Sequence, residues 1–165
     1  MAGSGFESEM IALLPRLRRF AHALARSPAD ADDLCQAAVE RALKSRAQWQ
    51  PGTRLDSWIY RIMRNLWIDE TRARSRRDQT FAPEEAGVNV GDDGARRAEV
   101  ALELTDLDRA LATLPGEQRE VIALVLVEGL AYKEAAAVLE VPIGTLTSRL
   151  SRAREALIAQ LGEAA

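Results

Sequence analysis

Thr145, Ser148, Arg149 and Arg152 are spaced so that one flank of a helix would carry two hydroxyl groups and two guanidinium groups. Such groups at the start of a helix are what phosphate anchoring and major-groove readout need. Upstream, Arg54, Trp58, Arg61, Asn65, Arg72 and Arg76 share one face of a helical stretch, and Tyr60, Trp67 and Arg74 share another line. Two lines of basic and aromatic residues beside one apolar stripe exceed what solubility requires. The chemistry indicated is recognition rather than bond making. His22 is the only histidine, and no Gly-rich nucleophile turn lies near it. A Ser-His-Asp site or a histidine-based metal site would have to be built around that one residue, so hydrolase chemistry is not expected.

These lines need helices to carry them. The 165 residues are 47% hydrophobic and 28% charged, which are values of a globular chain, and only 5% aromatic. Ala and Leu recur while β-branched types are sparse, so the expected fold class is all-α. Cys35 is the single cysteine, which rules out an intrachain disulfide and fits a reduced, cytoplasmic setting. No run approaches the roughly 18 apolar residues of a membrane span, so no membrane insertion is expected. The N-terminal segment has no basic residue before its short apolar stretch, unlike a secretory signal. The net charge of −3 and pI near 5.3 argue against indiscriminate nucleic-acid binding. Yet residues 61–77 hold six arginines against Asp69 and Glu70, and 149–154 hold three with no acid. The charge is locally basic within an acidic total.

Along the chain, Leu13, Leu17, Phe20 and Leu24 form a helical stripe, which Pro15 interrupts as a kink or as the start of a second helix. Ser27-Pro28-Ala29-Asp30 is a helix start, and Ala31, Leu34, Cys35, Ala38 and Ala42 then face a core with Leu43 at its edge. Gln50-Pro51-Gly52-Thr53 breaks this helix. A third runs from about Leu55 to Arg76 on a stripe of Leu55, Ile59, Ile62, Met63 and Leu66. Residues 78–97, rich in Pro, Gly and acids without a period, read as a flexible linker between two small helical domains, 6–77 and 98–162. In the second, Val100, Leu104, Leu107, Leu111 and Leu114 predict a helix that Pro115 ends, and Gly129 suits the end of the next. A short helix over Tyr132–Leu139, a Val141–Gly144 turn and a final helix complete a helix-turn-helix, with Ile143, Leu146, Leu150, Ala153 and Leu157 as the last core stripe.

The stretches DADDLCQAAVERAL, WQPGTRLDSWIYRIMRNLWIDETRARSRR and LPGEQREVIALVLVEGLAYKEAAAVLEVPIGTLTSRLSRAREAL, in this order, resemble a bacterial sigma factor of the extracytoplasmic-function (ECF, group IV) type. WQPGT and the RSRR tail are similar to the general-stress branch of that family. The resemblance implies a region-two-like domain that binds core RNA polymerase and opens the minus-10 element, and a region-four-like domain that reads the minus-35 element. It implies promoter DNA, core polymerase and an anti-sigma factor as partners, and no cofactor. Matched residue by residue, Asp33, Leu34, Gln36 and Arg41 would dock on the polymerase. Gly52, Thr53 and Arg54 would lie in the loop that pockets an unstacked minus-10 base, with Trp58, Arg61 and Asn65 beside it. Arg72, Arg74, Arg76 and Arg77 would track phosphate, and Thr145, Ser148, Arg149 and Arg152 would face the minus-35 groove.

Three residues depart from the family pattern. Ala37 stands where an acid is usual, Glu140 where Gly is usual before Val-Pro, and Thr147 where Lys or Arg is common. The resemblance leaves two rival functions in play. One is a sigma-like decoy that occupies an anti-sigma factor without starting transcription, and the other is a plain helix-turn-helix repressor. Each group also has a bland reading: Trp49, Trp58 and Trp67 as half-buried packing, the RARSRR run as a solvated helix end, and Cys35 as a small buried hydrophobe.

Overall fold

The computed structural model describes residues 2–25, 27–80 and 106–164 of the protein, and all regular structure among them is helical. The first half comprises α1 (Ala2–Leu24), α2 (Pro28–Lys44), a 3-10 turn (Arg46–Gln48) and α3 (Leu55–Thr80). The second comprises α4 (Asp106–Thr113), α5 (Gly116–Ile122) continuing through a π-helical turn (Ala123–Val127), α6 (Tyr132–Leu139) and α7 (Ile143–Ala164). The fold is the all-α, two-domain architecture that the sequence indicates. Residues 81–97 of the expected linker, with Val100 and Leu104, lie outside the described residues.

Local chemistry explains most boundaries. The Ser27 side chain accepts the Asp30 backbone N–H at 3.1 Å, with Pro28 opening α2, so the start signal works as an N-cap. The five positions expected to face the core from α2 are the five that are buried. Gly52 has a φ of +91°, a left-handed conformation that only glycine adopts without strain, and Gly129 has a φ of +72° just beyond the π-helical turn.

The structure departs from the sequence reading at four places. Pro15 does not start a second helix; it sits within a continuous α1, on its exposed side. Helix α3 runs to Thr80, beyond the Arg76 that periodicity gave, because solvated Arg and Asp positions extend a helix without extending its apolar stripe. Tyr60 is not on a surface line but fully buried against Phe20, their rings 5.0 Å apart. Ile143 is 48% exposed and does not join the core stripe, which begins at Leu146. Helical side chains lean toward the N-terminus, so the first residue of α7 leans off the end of the packed surface.

The end of α6 is a further case. Glu140 has a φ of 56°, while its N–H donates to Ala137 O at 3.3 Å and that of Val141 donates to Ala136 O at 3.1 Å. This is a Schellman closure with a glutamate at the position that favours glycine. A non-glycine residue held left-handed costs about 1–2 kcal/mol, part of which glycine would return to the unfolded chain as entropy. Glu140→Gly is accordingly expected to stabilise the helix-turn-helix by about 0.5–1 kcal/mol. Chemical denaturation measures it, and an unchanged or lower midpoint contradicts the strain.

Candidate nucleic-acid interface

The helix-turn-helix builds the first surface. Leu146, Leu150, Ala153 and Leu157 seat α7 against α4 and α5, which leaves one flank of α7 open beside α5. Thr145, Ser148, Arg149 and Arg152 come together there and, with Glu117 and Gln118 of α5, line an open cleft of about 380 Å³. Arg149 is held at the cleft wall, its Nη2 3.3 Å from a Glu117 carboxylate oxygen, whereas Arg152 is exposed. Thr147 is on the other flank and donates its hydroxyl to Gly144 O at 3.0 Å, so it closes a helical turn rather than facing the cleft.

The second surface is on α3 and the loop before it. Thr53 Oγ1 donates to Gln50 O at 2.6 Å, a bond that closes the loop and leaves Gly52, Thr53 and Arg54 exposed. Arg54 makes a fork to both carboxylate oxygens of Asp56, at 3.1 and 2.8 Å. Burial works against the Asp56 charge, but hydrogen bonds from Arg54, the Ser57 N–H and Arg16 hold its carboxyl below the usual range. Trp58 is half-buried and packs its ring edge-on to Phe6 at 6.3 Å, which is the bland reading of that residue. Arg61, Asn65, Arg72 and Arg76 are exposed along the remaining turns. Arg74 is committed elsewhere. Its guanidinium lies over Trp67, at 5.7 Å from the ring centroid, forks onto Asp30 at 2.9 and 2.7 Å, and also meets Glu70 at 3.0 Å. These bonds leave it ill placed to track phosphate, and the hydrogen bond from Arg74 holds the Asp30 carboxyl below its ordinary range.

On α2, Asp33, Gln36 and Arg41 share the exposed face with Ala37, while Leu34 is 6% exposed. Leu34 lies almost wholly beneath this face.

The sequence reading missed how the halves meet. Helix α6 packs on α3, and the end of α1 packs on α5. Arg61 donates to Ala137 O at 2.8 Å, capping the end of α6, and Arg54 reaches Glu134. Arg119, buried in α5, donates to the carbonyls of Ala23 and Leu24 at the end of α1. Arg64 meets Glu120 at 3.3 Å, where burial pushes the Glu120 carboxyl up against the pull of the arginine. At the centre is Glu128, whose side chain is fully buried. It accepts two bonds from Arg19, at 2.9 and 3.1 Å, and one from the Tyr60 hydroxyl at 2.9 Å, with Arg16 at 3.6 Å. Burial and this carboxylate together push the Tyr60 phenol far above its ordinary range. The one signal in the sequence was a lone acid within the apolar run VLVEGL, since a charge in such a run needs a partner.

A basic helix-turn-helix behind a basic, aromatic three-helix unit is the layout of a sigma-70-type initiation factor. Residues 10–77 match the family model for sigma-70 region 2, and residues 104–157 match that for sigma-70 region 4. The chain is 37% identical over 153 residues to the ECF RNA polymerase sigma factor EcfG of Rhodopseudomonas palustris, covering 93% of this chain and 83% of that one. It is also 37% identical over 144 residues to the ECF sigma factor SigE of Mycolicibacterium smegmatis, covering 86% of this chain and 56% of that longer one. Among solved structures it resembles the sigma factor RpoE of Bartonella quintana, determined in complex with the anti-sigma factor NepR. The TM-score is 0.79 with 32% identity, over 96% of this chain and 97% of that one. The protein belongs to the ECF RNA polymerase sigma factor family.

Proposed function

We propose that this sigma factor reads the minus-35 element with Thr145, Ser148, Arg149 and Arg152, and opens the minus-10 element with the face of α3 that carries Arg61 and Asn65. The observation that carries the proposal is the presence of both surfaces on one chain: a polar, guanidinium-lined cleft on α7, and an exposed polar and basic face on α3 beside a glycine-containing loop. Gly52, Thr53 and Arg54 border the pocket for an unstacked base, Asn65 supplies an amide for its edge, and Arg72 and Arg76 follow the phosphates. Trp58 supports this face by packing beneath it.

The two surfaces cannot serve one promoter in the closed arrangement. Arg61 touches Ala137, and the eight residues from there to Thr145 span at most about 28 Å. The minus-10 and minus-35 elements lie roughly 25 base pairs apart, about 85 Å at ~3.4 Å per pair. The halves must part for both elements to be engaged. Asp33, Gln36 and Arg41 lie on an open face of α2, so core polymerase docks there while Arg54 and Arg61 are still bonded to α6. Docking precedes parting. An anti-sigma factor controls the chain by holding the halves together.

Run-off transcription with purified core polymerase tests this reading. Transcripts starting at a defined promoter that depend on its minus-35 sequence are expected. A chain that binds an anti-sigma factor but yields no transcript with any promoter library is a decoy.

A further inference from the structure

Glu117 is out of place on a surface meant to meet phosphate. Among the described residues lining the α7 cleft it is the one acid, and it stands in the first turn of α5 with its side chain 61% exposed. An exposed ion pair of this kind adds little to stability, so the fold does not need it. What it does is geometric. The Glu117 carboxylate takes one edge of the Arg149 guanidinium at 3.3 Å, and the Arg149 side chain is 24% exposed as a result of lying against the cleft wall. A guanidinium presents its donors in a rigid fork, so occupying one edge leaves the other edges fixed in direction. An arginine fixed before binding loses less rotamer freedom on binding. The carboxylate also repels phosphate, which disfavours a backbone contact by the guanidinium beside it.

Resting on the assignment of α7 to the minus-35 element, we propose that Glu117 is a positioning residue for promoter specificity: it holds Arg149 toward a base edge and away from the phosphate backbone. Arg152, exposed on the next turn, is then the phosphate contact. A base contact discriminates between sequences, whereas a phosphate contact strengthens all of them alike.

The test uses holoenzyme reconstituted from core polymerase and the full chain. A promoter it transcribes competes in the same tube with a copy whose minus-35 element is scrambled, at one fixed salt concentration. The chain carries Glu117→Gln, Arg149→Ala or both. Glu117→Gln is expected to lower the preference roughly tenfold, the scale of one bidentate base contact, and to do so by raising use of the scrambled promoter. In the Arg149→Ala background the same change is expected to leave the preference where Arg149→Ala alone has put it. A preference unchanged by Glu117→Gln overturns the inference. So does an equal fall in use of both promoters, which is what a merely structural role gives, or an undiminished effect without Arg149. If the parent chain shows no preference between the two promoters, the minus-35 assignment itself is wrong and the inference falls with it.

Discussion

Replacing Glu128 by Ala is expected to part the two halves of the free protein. Its carboxylate is fully buried and receives the Arg19 fork, the Tyr60 hydroxyl and the nearby Arg16 guanidinium. Removing the acceptor leaves the buried Tyr60 phenol without a partner, while Arg16 keeps Asp56 and the half-exposed Arg19 turns to water, so the cost is about 1–3 kcal/mol. Among the other contacts across the boundary, Arg54 with Glu134 and Arg61 with Ala137 O are exposed and individually weaker, Arg64 with Glu120 is partly buried, and the buried bonds from Arg119 to the Ala23 and Leu24 carbonyls are the strongest that remain. A closed state disfavoured by that much gives way to an open one. Small-angle scattering should then show a larger radius of gyration with helix content preserved. Because each ~1.4 kcal/mol is a factor of ten, promoter engagement with core polymerase should also tighten by about tenfold or more. Glu128→Gln, which keeps an acceptor for Tyr60, should open the chain less. An unchanged radius for Glu128→Ala would show that the apolar contacts between the halves suffice without this node.

The second large effect is expected at Asn65. This residue is exposed on α3, one turn beyond Arg61 and clear of the Tyr60–Glu128 node, so its replacement leaves the fold and the closed arrangement alone. Its amide is the group on this face able both to donate to and accept from a base edge. Asn65→Ala is expected to leave binding to core polymerase unchanged, because that contact is assigned to α2. Transcription from a duplex promoter should fall about tenfold or more, the scale of one lost base contact. The same variant on a template premelted across the minus-10 element should recover part of the loss. Equal losses on both templates would place the defect in docking rather than opening.

The sequence made the elements legible because their signals are local. The Ser27 cap, the α2 positions from Ala31 to Ala42 and the left-handed Gly129 each follow from residues within a few positions of one another. Thr145, Ser148, Arg149 and Arg152 were legible for the same reason, since helical periodicity puts them on one flank and the structure lines one cleft with them. Periodicity does not say what a polar group meets once helices pack. Arg72 and Arg74 look alike in sequence, but Arg74 is spent on Asp30, Glu70 and Trp67. Tyr60 looked like a surface aromatic because its partner, Glu128, is 68 positions away. Separations of 80 and 76 positions likewise hid the bonds from Arg54 to Glu134 and from Arg61 to Ala137 O. The Glu140 departure was visible, and its consequence came out as a left-handed residue closing α6 rather than as a lost helix.

Permanganate footprinting of unpaired thymines tests the central claim most directly, because it reports strand opening itself. With core polymerase and a promoter selected by the reconstituted enzyme, the parent chain is expected to make thymines in the minus-10 element reactive, and Asn65→Ala to reduce that reactivity about tenfold. Reactivity as strong with Asn65→Ala as with the parent would contradict the role of the α3 face, and no reactive thymine with the parent at any selected promoter would contradict strand opening by this chain altogether.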